Sequence, residues 1–127
     1  MSFDIFLQAF EGGAAGRASD QPVLDVLEPL IADREGGWAR IATADGEADV
    51  HGLDDPGSGL MINHASGRAV WDLMFELARA AGFVVMPVGC GTCVVSEAAR
   101  AELPEGVPEP VVTVRSGADL LRAVESA

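Results

Sequence analysis

The chain contains no lysine and no tyrosine in 127 residues. The first absence excludes Walker-type phosphate binding and Schiff-base catalysis, and the second excludes phenolic acid catalysis, because each chemistry depends on that side chain. Cysteine is scarce too. Cys90 and Cys93 alone are too few for a secreted disulfide scaffold and fit a reducing compartment. Basic residues are also few, eight arginines against twenty Asp and Glu, for a net charge of −12. That balance disfavours nucleic acid and anionic lipid as partners and favours a basic protein. No apolar run approaches the roughly 20 residues of a membrane span. Asp4 and Glu11, with no basic region before them, do not read as a targeting segment. The expectation is a soluble, cytoplasmic protein with no membrane contact.

What is present is a globular composition, 49% hydrophobic and 22% charged. The length suits one domain over 1–127 with one core. Residues 3–10 alternate, with Phe3, Ile5, Leu7 and Ala9 on one side and Asp4, Phe6, Gln8 and Phe10 on the other. This predicts a strand, central and covered on both faces because Phe6 and Phe10 make the second side apolar. Glu11–Ser19, with three glycines, reads as a mobile loop. A helix capped by Ser19 or Asp20 should follow, kink at Pro29 and end at Gly36 or Gly37.

The sharpest local signal is Asp45-Gly46, which predicts a two-residue hairpin turn between Trp38–Ala44 and Glu47–Leu53. In that register Ile41 faces Val50 and Arg40 faces His51. Ile41, Thr43, Ala48 and Val50 share the core side, while Trp38, Arg40, Glu47, Asp49 and His51 share the other, with Arg40 reaching diagonally to Asp49. Strands over 60–65, 83–88 and 111–115, and a short one at 93–95, are predicted next. A helix capped by Ser66 should occupy 68–81, a short helix 96–103, and a last helix capped by Ser116 should turn Leu120, Leu121 and Val124 inward. The fold class is therefore α+β, a mostly antiparallel sheet of five or six strands packed against two or three helices.

Few constellations carry chemistry. Cys90-Gly91-Thr92-Cys93 has the spacing of a redox pair or half a zinc site. A thioredoxin-like site needs a long helix at its first cysteine, whereas Val94 and Val95 delay the helix to about Ser96. A zinc site needs two more ligands, and no second paired motif supplies them. His51 and His64 could work with Asp49, Asp54 or Asp55 as a base or metal site. Against this, the hairpin puts His51 on a solvated face, and His64 alternates with Leu60 and Ile62 as a core residue would. Gly89-Cys90-Gly91 lacks the third glycine of a dinucleotide loop, and no cofactor is expected. The acidic cluster Asp45, Glu47, Asp49, Asp54 and Asp55 has Arg40 as its nearby base. It reads either as a solvated hairpin tip or, with Trp38 as anchor, as a partner patch.

The opening Met1–Phe10 segment, Asp49-Val50-His51-Gly52, and Asn63-His64-Ala65-Ser66-Gly67 leading to Trp71 resemble a family of small bacterial proteins and, loosely, the immunity-type proteins that accompany polymorphic toxins. The resemblance implies a non-enzymatic binding protein. The expected function is an acidic, immunity- or antitoxin-like protein covering a basic partner surface through Trp38, Glu47, Asp49, His51, Asp54 and Asp55. The alternative is a thiol-redox or metal-binding protein using Cys90 and Cys93. A homodimer through an exposed sheet edge is a third possibility.

Overall fold

The computed structural model describes residues 4–126, so Met1, Ser2 and Phe3 of the opening segment lie outside the described residues. The chain starts with β1 (Ile5–Gln8), a small hairpin of β2 (Phe10–Glu11) and β3 (Ala14–Ala15), and helix α1 (Asp20–Leu27). Three strands follow, β4 (Ile31–Glu35), β5 (Trp38–Ala42) and β6 (Glu47–His51), and then β7 (Leu60–Asn63) leads into α2 (Ala69–Ala81). The last part runs through β8 (Val84–Pro87), β9 (Thr92–Val94), α3 (Glu97–Ala101), β10 (Val111–Thr113) and α4 (Gly117–Glu125).

Eight strands form one sheet in the order β10-β9-β8-β1-β7-β6-β5-β4, antiparallel throughout except for the parallel pair β9 and β10. The α+β class stands. The expected five or six strands and two or three helices become eight strands in the main sheet and four α-helices among the described residues. The main source of the difference is Pro29. It has no N–H to continue the helix, so α1 gives way to a 3-10 turn over Glu28–Leu30, and the chain leaves as β4 instead of continuing helical to Gly36. The predicted mobile loop after β1 likewise contains the β2–β3 hairpin, with Gly12 and Gly13 at positive φ in its corner.

One face of the sheet carries the core. Ile5 and Leu7 from β1, Ile41, Val50 and Ile62 pack with Val23 and Leu27 of α1, with Val70, Met74 and Leu77 of α2, and with Leu120 of α4. This is the apolar face that the 68–81 periodicity predicts, and Gly82 ends α2 in the left-handed conformation. Ser116 caps α4 as expected, its hydroxyl accepting from the Asp119 N–H at 3.1 Å.

On the opposite face the β9–β10 end is covered, together with Val84 at the start of β8, which is 1% exposed. Thr92 and Val94 are fully buried there, the Thr92 hydroxyl donates to the Pro108 carbonyl, and Arg100 of α3 donates to the Thr113 hydroxyl. Among the described residues, Phe6, Met61, Met86, His51 and Trp38, from β1, β7, β8, β6 and β5, stay exposed or half-buried on this face. β1 is central as predicted, but its second side is not covered, and Phe6 is 43% exposed.

The 38–53 hairpin forms with its register moved by two. Arg40 pairs with Asp49, Ile41 with Ala48 and Trp38 with His51, and the corner passes to Ala44-Asp45, closed by the Thr43 N–H donating to the Gly46 carbonyl. An even shift leaves every side chain on its predicted face. Arg40 thus meets Asp49 directly instead of diagonally, and Trp38 lies opposite His51, not beside Leu53.

Candidate functional site

Strand register lines up two parallel rows of side chains across the uncovered face. In the first, Met86 pairs with Phe6, Phe6 with Met61, Met61 with His51 and His51 with Trp38, so one apolar and aromatic row spans five strands. Glu35 of β4 extends it opposite Trp38. The second row is polar: Asn63 pairs with Asp49, Asp49 with Arg40 and Arg40 with Asp33. Asp4 joins that row by accepting from the Asn63 amide at 3.3 Å.

Asp49 is the hub of the polar row. Its side chain is 13% exposed and gathers donors from three directions. His64 Nδ1 lies 2.7 Å from Oδ2, Arg40 Nε lies 3.4 Å from Oδ1, and the Trp38 indole also donates to the carboxylate. Burial pushes the Asp49 carboxyl up, but these hydrogen bonds outweigh it and hold the group below the ordinary carboxylate value. Arg40 also lies over the Trp38 ring, 5.8 Å from its centroid, so the row is cross-braced.

His64 sits just past the end of β7 at φ 51, the one left-handed non-glycine among the described residues. Its side chain is 64% exposed, which replaces the expected core histidine with a surface one. That backbone conformation costs of order 1–3 kcal/mol, and the bond to Asp49 is one contact that offsets it. No group of three or more His, Cys, Asp or Glu that could hold a metal ion is present among the described residues. His51 is half-buried, its Nε2 3.3 Å from Asn63 Oδ1.

A shallow groove of about 470 Å³ follows the first row, with Phe6, Met61, Met86 and His51 as its walls and Gln8 and Gly59 at one end. Carboxylates border the open face: Asp4, Asp33, Glu35, Glu47 and Asp49, with Arg40 among them. Of the six residues predicted for partner binding, Trp38, Glu47, Asp49 and His51 share this face. Asp55 instead pairs with Arg17 at 2.6 Å, and Asp54 packs against Gly37. Phe6, Met61 and Met86 escaped the sequence reading of the site. Their alternation within separate strands was legible, but their alignment depends on long-range pairing.

Cys90 and Cys93 belong to neither row. β9 begins at Thr92, so no helix starts at Cys90, in agreement with the mismatch to a thioredoxin-like site. Cys93 is buried, Cys90 is half-buried, and both thiols are free. No helix among the described residues is long and apolar enough to cross a membrane. No protein family, curated protein or solved structure matches the chain.

Proposed function

We propose that the protein is a binding module that presents the uncovered sheet face to a basic protein partner. One observation carries this reading. A cross-strand row of Met86, Phe6, Met61, His51 and Trp38 lies open on a chain of net charge −12 and is bordered by carboxylates. Methionine and aromatic side chains supply adaptable apolar contact, and desolvated aromatics are common interface anchors. Carboxylates around such a row select a partner rich in Arg and Lys and speed its approach. The immunity-like resemblance supports the same reading.

The test takes a partner captured from the source cell and purified, and measures its binding kinetics to the wild type, Phe6→Ala, Trp38→Ala and Glu76→Ala. Glu76 is a half-exposed α2 residue paired with Arg79, on the helical side of the sheet. Phe6→Ala and Trp38→Ala should each raise the off-rate about tenfold or more, as expected for anchors, with Glu76→Ala unchanged. Equal behaviour of all three variants overturns the assignment.

A further inference from the structure

We propose that Cys90 and Cys93 form a working thiol pair that reduces disulfides, with Cys90 receiving the incoming group and Cys93 displacing it. This goes beyond the partner surface, with which the thiol site shares Phe6 and Met86. The two cysteine side chains line one cavity of about 160 Å³, which Pro110, Val112 and Val124 help to enclose. Cys90 and Cys93, three residues apart, thus border the same small space.

The turn that carries them is held in place. The Cys90 N–H donates to the Pro87 carbonyl at 3.1 Å, and the Thr92 N–H donates to the Pro110 carbonyl at 3.0 Å. Gly91 leaves no room for a side chain, since a Cβ there would stand 2.1 Å from the Pro110 oxygen. The two thiols also differ in access, Cys93 being 3% exposed and Cys90 half-buried. Burial pushes the Cys93 thiol up to about 11, with Cys90 adding to the shift, so Cys93 stays protonated while Cys90 meets the substrate.

Cys90 borders a second cavity as well. That space, about 520 Å³, is walled by Phe6, Met86, Pro87, Val88 and Pro108, and Phe6 and Met86 also wall the groove of the open face. The outer thiol therefore stands at the end of an apolar path, which suits a disulfide that carries aromatic or aliphatic groups. In the first step the Cys90 thiolate attacks one sulfur of the external disulfide, whose S–S bond breaks. One thiolate leaves, and a mixed disulfide forms on Cys90. Cys93 Sγ then attacks Cys90 Sγ, its proton passing to the second departing thiolate, and the Cys90–Cys93 bond closes. The external disulfide is reduced to two thiols and the protein dithiol is oxidised.

Dithiodipyridine, a neutral aromatic disulfide, is the probe, read by thiopyridone absorbance and by intact mass on the native chain. The wild type should release two thiopyridones and end about 2 Da lighter, with no adduct left. Cys93→Ala should stop after one thiopyridone with a persistent adduct on Cys90, and Cys90→Ser should react about a hundredfold more slowly than the wild type. Circular dichroism establishes that each variant is folded. If Cys93→Ala fails to fold, the wild-type mass decides alone. A lasting adduct on the wild type, a native chain that does not react, or a Cys90→Ser variant that keeps the wild-type rate overturns the proposal.

Discussion

Asp45, at the corner of the β5–β6 hairpin, caps helix α2 across 23 residues of sequence: its Oδ2 accepts from the Arg68 N–H at 2.8 Å. Its Oδ1 accepts from the Ala69 N–H at 3.1 Å. Ser66, the expected cap, is occupied elsewhere, its hydroxyl accepting from the Glu47 N–H at 3.0 Å. The hairpin that presents Glu47, Asp49 and His51 is thereby fixed to the helical layer.

Asp45→Ala should lower thermal stability at neutral pH and leave the apolar row intact. The two backbone bonds from Arg68 and Ala69 hold the Asp45 carboxyl below its ordinary value of 3.8. A carboxyl with a depressed folded value contributes stability above 3.8 and loses it as pH falls through the folded value. The gap between wild type and variant should therefore close in strong acid, which melting curves at several pH values measure.

Gly46→Ala should destabilise the chain by about 1–3 kcal/mol through overpacking. The reason is contact, because the φ of Gly46 is not positive and an added Cβ would stand 2.0 Å from the Ser66 carbonyl oxygen. Urea denaturation checks this. Gly36→Ala, at positive φ but in open space, isolates backbone strain from crowding.

Asp49→Asn removes the charge from the hub and keeps its shape. Burial alone would raise the Asp49 carboxyl, but bonds from His64, Trp38 and Arg40 bring it below 3.8, so its share of stability is present above that value and lost as pH falls below it. The variant should lose roughly 1–3 kcal/mol at pH 7, typical of charge-assisted hydrogen bonds, and should show a flatter stability profile in acid. Urea midpoints from pH 7 to pH 2.5 measure both effects.

Much of this arrangement was written locally. Alternation marked β1, the Asp45-Gly46 signal marked the hairpin, and helical periodicity marked α2, because each depends on near neighbours. β4 was not legible. Ile31 is its one partly buried residue, so an edge strand of Ile-Ala-Asp-Arg-Glu lacks the alternation that a half-buried strand would show. The turn signal alone puts the hairpin register two residues away from the observed one. The docking of residues 45–47 on residues 66–69 shifts the corner to Ala44-Asp45. The site was half legible for the same reason: Trp38, Glu47, Asp49 and His51 are on one hairpin, whereas Phe6, Met61 and Met86 join them only through the order of β8, β1 and β7.

Reversing the peripheral charges with Asp33→Arg, Glu35→Arg and Glu47→Arg should slow association with a basic partner about tenfold or more at low salt and change the off-rate much less. The wild-type on-rate should fall as salt rises through about 0.15 M, and the reversed variant should lose that dependence. Stopped-flow kinetics separates the two rates. Asp49 is left unchanged here because its role in the fold would confuse the result.

Methionine methyl NMR tests the central claim most directly. Met61 and Met86 lie in the open row, whereas Met74 is fully buried in the helical layer. With methyl-labelled methionine, addition of the purified basic partner should shift or broaden the Met61 and Met86 signals and leave Met74 in place. Unmoved Met61 and Met86 signals under saturating partner, or a response confined to Met74, would contradict the assignment of the uncovered sheet face as the binding surface.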